Sequence, residues 1–252
     1  MSGLTVTVCG SAGTHVGSGR ACSSYLVTAG GHRLLLDIGN GSLANTQRVC
    51  DVAALDAVLV SHQHPDHFVD VYSLYYALRF HPEGQKTVAA YGPDGTAEFI
   101  SQLLATDTTE RLREVVRFEV VASGETVGIG PMQVTFYGAN HPVPTLAARV
   151  ETDDAVVAYS ADSAPSDEIV ACARDADLFI CDATWLERMR PLPRDIHMTG
   201  AEAGRAAAAA GAKRLLITHV LPSLDPVEVA AEAAREYPGE VLIARDLQEI
   251  QL

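Results

Sequence analysis

The chain has 252 residues, 48% of them hydrophobic, and carries 18 Lys and Arg against 32 Asp and Glu, a formal net charge of -14. That length supports a sizeable core, as one large domain or two small ones, and the negative field opposes binding to a polyanion such as RNA or to an anionic membrane. Five cysteines (Cys9, Cys22, Cys50, Cys172 and Cys181), an odd number with no C-x-x-C pair, argue against a disulfide framework and read as buried thiols in a reducing compartment.

Residues 1–6 run directly into a strand pattern, without the basic segment and long apolar stretch of a signal peptide. No run approaches the ~18 apolar residues of a membrane span. A cytoplasmic location is expected. Strands are predicted over 4–9, 22–28 and 33–37, separated by Gly/Ser turns, and a helix over 43–50. The apolar run 56–60 reads as a buried strand. It delivers the most informative segment, Ser61-His62-Gln63-His64-Pro65-Asp66-His67.

Three imidazoles and a carboxylate within six residues form the ligand set of a transition-metal site. His62 and His64 are two apart, so on extended backbone they point to one side. Asp66 and His67 follow Pro65 and open a helical pattern, so they diverge from the first pair. One loop can thus serve two adjacent metals. Imidazole and carboxylate suit zinc best, with iron, manganese or cobalt as alternatives.

Phe68, Val71, Leu74, Tyr75 and Leu78 have helical spacing and extend that helix over 66–80. A strand over 87–91 and a helix over 96–104 follow. Further strands are predicted over 115–121, 132–137, 147–151 and 155–160, a helix over 166–174 and a strand over 178–181. An alanine-rich helix spans 199–210, with Thr199 and Glu202 as a capping box and Gly211 as its stop. A strand over 214–218 leads to a helix near 227–236, with Asp225 as cap, Pro226 in the first turn and Glu228 as capping-box partner. Residues 242–244 close the chain. The similar strand-then-helix rhythm of the halves, roughly 1–122 and 123–252, fits one domain of two sheets packed face to face with helices outside.

Three more ligand candidates sit where an apolar run stops: His141 after 132–137, Asp162 after 155–160, and His219 after 214–218. Singly, each reads as a loop residue or cap. Together with the first loop they share one position relative to the strands. Trp185 and Tyr76 read as core residues before nucleobase platforms. Arg79 and His81 complement a helix dipole, and His15 reads as a turn residue.

The series His62-x-His64-x-Asp66-His67, then His141, Asp162 and His219, resembles the metallo-β-lactamase superfamily over nearly the whole chain. Asp37 matches that family's early structural aspartate. The resemblance implies an α/β (α+β) fold, a four-layer αββα sandwich, with a dinuclear site at one edge. Carried over, one metal takes His62, His64 and His141, the other takes Asp66, His67 and His219, and Asp162 bridges them. Two divalent ions are implied, with Zn2+ first and Mn2+ or Fe2+ behind it.

Residues 176–185 resemble the HEAT segment of ribonuclease Z-like phosphodiesterases, with Cys181 and Asp182 in place of His and Glu. Residues 197–203 resemble the H-S-T segment of that group. The resemblance implies that His197 protonates the leaving oxygen, oriented by Asp182, while Asp66 positions the attacking hydroxide. His197 also lies just before a helix opening, where free N–H groups favour a phosphate. Ribonuclease Z carries a long tRNA-gripping arm between the ligands matching His141 and Asp162. Here they are only 21 positions apart. A turn and two strands use all of that length. The pattern looks closer to small arm-less phosphodiesterases, including the atypical class that hydrolyses cyclic AMP. A phosphodiesterase acting on a small phosphodiester, such as a cyclic nucleotide, is therefore expected ahead of a tRNA 3′-end endonuclease or a lactonase or thioesterase. A polynucleotide is the less favoured substrate. The ribonuclease Z group further implies a homodimer.

Overall fold

Leu34 and Leu36 point one way from their strand and Leu35 the other, yet all three are fully buried. Leu178, Phe179, Ile180 and Cys181 repeat this in the second half. Strands buried on both faces need a layer on each side, which is why their runs are continuously apolar rather than alternating. A computed structural model, describing residues 3–102 and 109–252, shows those layers.

The first half holds β1 (Thr5–Gly10), β2 (Ser24–Ala29), β3 (His32–Leu36), α1 (Ser42–Val49), β4 (Ala57–Leu59), α2 (Pro65–Phe68), α3 (Val71–Arg79), β5 (Val88–Gly92), α4 (Thr96–Ser101), α5 (Thr109–Val115) and β6 (Val116–Val120). The second holds β7 (Thr126–Ile129), β8 (Met132–Gly138), β9 (Leu146–Glu151), β10 (Val156–Tyr159), α6 (Asp167–Cys172), β11 (Leu178–Asp182), α7 (Gly200–Ala210), β12 (Arg214–Thr218), α8 (Pro226–Glu236), β13 (Glu240–Ile243) and β14 (Glu249–Gln251).

Two seven-stranded sheets run in the orders β14-β1-β2-β3-β4-β5-β6 and β13-β12-β11-β10-β9-β8-β7. Each is an antiparallel meander that becomes parallel, from β3 to β6 in one and from β10 to β13 in the other. Leu34 and Leu36 meet Val134, Phe136, Leu178 and Ile180 between the sheets. Leu35 and Val58 pack outward with Leu74 and Leu78 of α3. Phe179 and Ile217 pack outward with Ala203 and Ala207 of α7. The result is the expected αββα sandwich. The carboxyl ends of β3, β4, β8, β10, β11 and β12 collect at one edge, where open α/β sheets bind ligands.

The predicted helix over 66–80 is two helices, α2 and α3. Asp70 leaves the helical path because its N–H donates to Ile38 O at 3.1 Å and its carboxylate accepts from Leu43 N at 2.9 Å. The predicted helix over 96–104 ends at Ser101, and its positions 103 and 104 lie outside the described residues. The last strand is a larger departure. β14 returns to the first sheet and pairs with β1, so the first sheet is completed by the end of the chain rather than by residues 1–122 alone. In that three-residue strand only Ile250 is buried, too little pattern to read. β7 and α5 were likewise not predicted.

The capping box on α7 forms as expected, with Glu202 N donating to Thr199 Oγ1 at 3.2 Å and Thr199 N to Glu202 Oε2 at 2.9 Å. Asp225 caps α8 through Val227 N at 2.9 Å. Glu228 does not complete a capping box there. It pairs with Arg188 at 2.8 Å, a stronger partner for a carboxylate than a backbone N–H. Among the described residues no helix is long and apolar enough to cross a membrane.

Candidate metal centre

β4 ends at Leu59, and Ser61 is then fixed by Asp37, which accepts from Ser61 N at 2.7 Å and Ser61 Oγ at 2.8 Å. From this anchor His62 and His64 project together, with His62 Nε2 and His64 Nδ1 3.0 Å apart. Pro65 opens α2, and His67 N closes its first turn on His64 O at 2.9 Å. The turn swings Asp66 and His67 away from the first pair, as the spacing predicts. Backbone strain helps to aim the other loops. Asp37, Ala161 and His219 each follow a strand end with positive φ (60°, 52° and 57°), a conformation costing about 1 kcal/mol or more per non-glycine residue.

All seven predicted ligands converge into two groups: His62, His64, His141 and Asp162, and Asp66, His67, Asp162 and His219. Asp162 belongs to both, as a bridging residue must. His141 Nε2 lies 3.1 Å from His64 Nδ1, and His67 Nε2 lies 3.2 Å from His219 Nε2. Asp162 Oδ1 stands 3.1 Å from His67 Nε2 and 3.3 Å from His219 Nε2.

The outward nitrogens fix the tautomers. His141 Nδ1 donates to Ile196 O at 2.8 Å, and His67 Nδ1 to Asp37 Oδ2 at 2.7 Å. Ser61 Oγ, already donating to Asp37, accepts from His62 Nδ1 at 3.0 Å. Thr184 Oγ1 donates to Asp182 Oδ1 at 2.6 Å and so accepts from His219 Nδ1 at 2.8 Å. With Nδ1 of each ring spent outward, the Nε2 of all four rings faces inward and offers a lone pair whenever the ring is neutral. Such outer partners orient metal-binding histidines.

The donor set fits divalent cations on two further observations. Asp162 Oδ1 is buried and accepts no well-aligned hydrogen bond among the described residues, with only the Nε2 atoms of His67 and His219 close to it, a state that a cation between them would relieve. Asp37, Asp66, Asp162 and Asp182 also crowd the site, and their recorded partners are imidazoles, hydroxyls and backbone N–H groups, with no Lys or Arg. The titration of the side chains reflects both features. Burial pushes His62 well below its ordinary value, which favours the neutral ring that metal binding requires. Burial opposes charge at His67 too, but Asp162, Asp37 and Asp66 overcome it and push that imidazole up. Burial disfavours charge on Asp66, yet His67 and His219 hold it well below the carboxylate range.

His197 and Asp182 form a third group with Asp162 and His219, and it is of a different kind. His197 Nδ1 already meets Asp182 Oδ2 at 2.8 Å, and His219 Nδ1 already meets Thr184. Asp182 reaches the ring despite being one methylene shorter than Glu. Burial works against a charge on His197, but Asp182, through its charge and hydrogen bond, and Asp162 raise it to about 9. Its Nε2 has no recorded partner. The arrangement is a hydrogen-bonded imidazole–carboxylate pair beside the two donor groups, with the chemistry to carry a proton.

Several functional neighbours escaped the sequence reading. Tyr159 donates to Asp37 Oδ2 at 2.6 Å from the opposite sheet, and no local signal marks a contact 122 residues long. Thr14 N donates to Asp66 Oδ2 at 2.8 Å. A Cβ on Gly13 would lie 2.1 Å from His219 O, which explains a glycine in that loop. Thr184 lay within the noted segment 176–185, but its role depends on His219 arriving from β12.

Other expectations fail. The opening of α7 offers little to a phosphate, because Gly200 N donates to Trp185 O at 3.0 Å and Glu202 N to Thr199. Tyr76 is half exposed rather than core, and Trp185 is only partly buried, with its ring centroid 5.1 Å from that of His197. The readings of Arg79, His81 and His15 are not among these failures: Arg79 sits in the last turn of α3 and bonds Gln85, His81 just beyond it faces Asp51, and exposed His15 lies in a bend with its ring on Val16 O.

A family model described as a beta-lactamase superfamily domain matches residues 32–220. An uncharacterized protein of Mycobacterium tuberculosis, Rv1339, is 34% identical over 247 residues, covering 94% of this chain and 88% of that protein. The probable metallo-hydrolase YhfI of Bacillus subtilis is 32% identical over 246 residues, covering 96% and 97%. Its crystal structure superposes with a TM-score of 0.89 at 29% identity, over 100% of both chains. A ribonuclease Z of Halorubrum lacusprofundi is 29% identical over 300 residues, covering 96% and 95%.

Proposed function

Since the chain belongs to the metallo-β-lactamase superfamily and is a metallo-hydrolase of its ribonuclease Z-like group, we propose that it hydrolyses a small phosphodiester, a cyclic nucleotide being the favoured class. The observation that carries this reading is the His197–Asp182 pair beside the two donor groups. A protonated imidazole held there can protonate the alkoxide that leaves a phosphodiester, and the two segments that supply the pair resemble those of ribonuclease Z-like phosphodiesterases.

In this reading His62, His64 and His141 would hold one ion and Asp66, His67 and His219 the other, with Asp162 a donor common to both groups. Zinc suits this set best, with manganese or iron behind it. Divalent ions there supply Lewis acidity to a phosphate oxygen. Asp66 is the donor carboxylate with the larger exposure, 12% against 3% for Asp162. It remains ionised and accepts a hydrogen bond from the attacking water, orienting its oxygen toward phosphorus. The water oxygen forms the new P–O bond as the bond to the leaving oxygen breaks. His197 carries a proton at neutral pH and delivers it from Nε2 to that oxygen, while Asp182 holds Nδ1. The proton released by the water restores His197 by way of solvent.

Only a turn and the β9–β10 hairpin separate His141 from Asp162. That leaves no room for a tRNA-gripping arm and supports a small substrate over a precursor tRNA. The test is hydrolysis by the zinc- and manganese-loaded protein of 3′,5′-cyclic AMP, 2′,3′-cyclic AMP, bis-nitrophenyl phosphate, a precursor tRNA and an acyl-homoserine lactone. Turnover of the small diesters alone is expected. Cleavage of the lactone without any diester would overturn the reading.

A further inference from the structure

A cleft of about 200 Å³ opens directly beside His197. Trp185, Leu192 and Pro193 line it together with the polar side chains of Asn140, Arg194 and Glu202. The segment that forms the outer wall is tied to the metal centre at two points. Ile196 O accepts from the ring of His141, and Asp195 Oδ1 accepts from Asn140 Nδ2 at 3.2 Å. The cleft is therefore fixed relative to the reacting groups. Among the described residues Arg194 has no recorded hydrogen bond or ion pair, and neither does Asn140 Oδ1. A mostly polar cleft with one aromatic wall and a few unspent polar groups offers both a stacking face and hydrogen-bonding partners to a small molecule.

We propose that this cleft seats the nucleoside on the leaving-group side of the substrate, with its base against Trp185. The inference rests on the phosphodiester reading above. His197 lines the cleft, so a leaving oxygen protonated at its Nε2 has the rest of its group directed into the slot. The volume equals roughly seven waters at about 30 Å³ each, which suits one base rather than a polynucleotide. Indole supplies a stacking partner that any base accepts. Asn140 Oδ1 and the Arg194 guanidinium supply one acceptor and several donors for a base edge.

Trp185 is the sole tryptophan of the chain, so its fluorescence reports the cleft without reference to turnover. Zinc-loaded protein is titrated with adenosine, cytidine and ribose 5-phosphate. Saturable quenching by the nucleosides but not by the sugar phosphate is expected. Leu192→Asp should abolish that quenching. Trp185→Ala and Leu192→Asp should each raise KM for a cyclic nucleotide at least tenfold more than for methyl nitrophenyl phosphate. Leu192→Asp stands in if Trp185→Ala fails to fold. Turnover of cyclic nucleotides with no nucleoside quenching would overturn the subsite and leave the phosphodiesterase reading intact. Nucleoside quenching without hydrolysis of any diester would support the subsite and sink the reaction.

Discussion

The hydroxyl of Tyr159, on β10 of the second sheet, donates to Asp37 Oδ2 at the end of β3 in the first sheet, at 2.6 Å. The same carboxylate accepts from Ser61 and from His67, so one buried group joins both sheets to the histidine loop. Tyr159→Phe removes a single donor without a cavity. A stability loss of about 1–2 kcal/mol is expected, together with a roughly tenfold or greater loss of metal affinity. Chelator competition and thermal denaturation of the metal-free protein measure the two effects separately.

Gly39 lies against the metal loop. A Cβ there would fall 2.0 Å from Asp66 O and 2.8 Å from Cys22 Cβ. Gly39→Ala must push α2 away from β3 and carry Asp66 and His67 with it. About 1–3 kcal/mol of overpacking strain is expected. Metal content should drop below that of the parent protein, as elemental analysis of the purified variant would show.

His197 has its own partner in Asp182 and does not belong to either donor group of seven ligands. His197→Ala should therefore keep full metal content. Turnover of a cyclic nucleotide should fall by about a hundredfold or more, and that of a nitrophenyl diester much less, because nitrophenolate leaves without a proton. Equal loss on both substrates would remove the proton-donor role.

Glu187 is clamped by Arg190, with further bonds from Thr199 and Arg205, and these hold its carboxyl down at about 2. A carboxylate lowered on folding stabilises the protein above its ordinary value of 4.5 and loses that effect as pH falls toward 2. Glu187→Gln should melt below the parent protein at pH 7, and the gap should narrow as pH falls from about 5 to 2. A gap independent of pH would mean the charge contributes nothing. The side chain is 34% exposed, so added salt should shrink the difference.

Much of the site was legible because its information is local. The spacing His62-x-His64-x-Asp66-His67 reflects the geometry of a strand end, a proline and one helical turn, all within seven residues. His141, Asp162 and His219 were legible for a related reason: each follows an apolar run whose burial forces it into a strand. The αββα layering was expected from the strand-then-helix rhythm of the two halves and from the family resemblance. The break at Asp70 was not legible, because hydrogen bonds to Ile38 and Leu43 decide it, and neither neighbour is apparent until β3 and α1 are in place.

The sequence by itself determined which residue types could hold metal and which strands carry them. Periodicity and ligand chemistry act over a few residues, so they survive without a fold. Tertiary structure alone decided the rest: that Tyr159 crosses the sandwich to Asp37, that β14 closes the first sheet, and that Trp185 walls a cleft beside His197. Each of these depends on the register and packing angle of elements far apart in the chain. No local preference encodes those quantities, and they are set only when the two sheets bury their shared face.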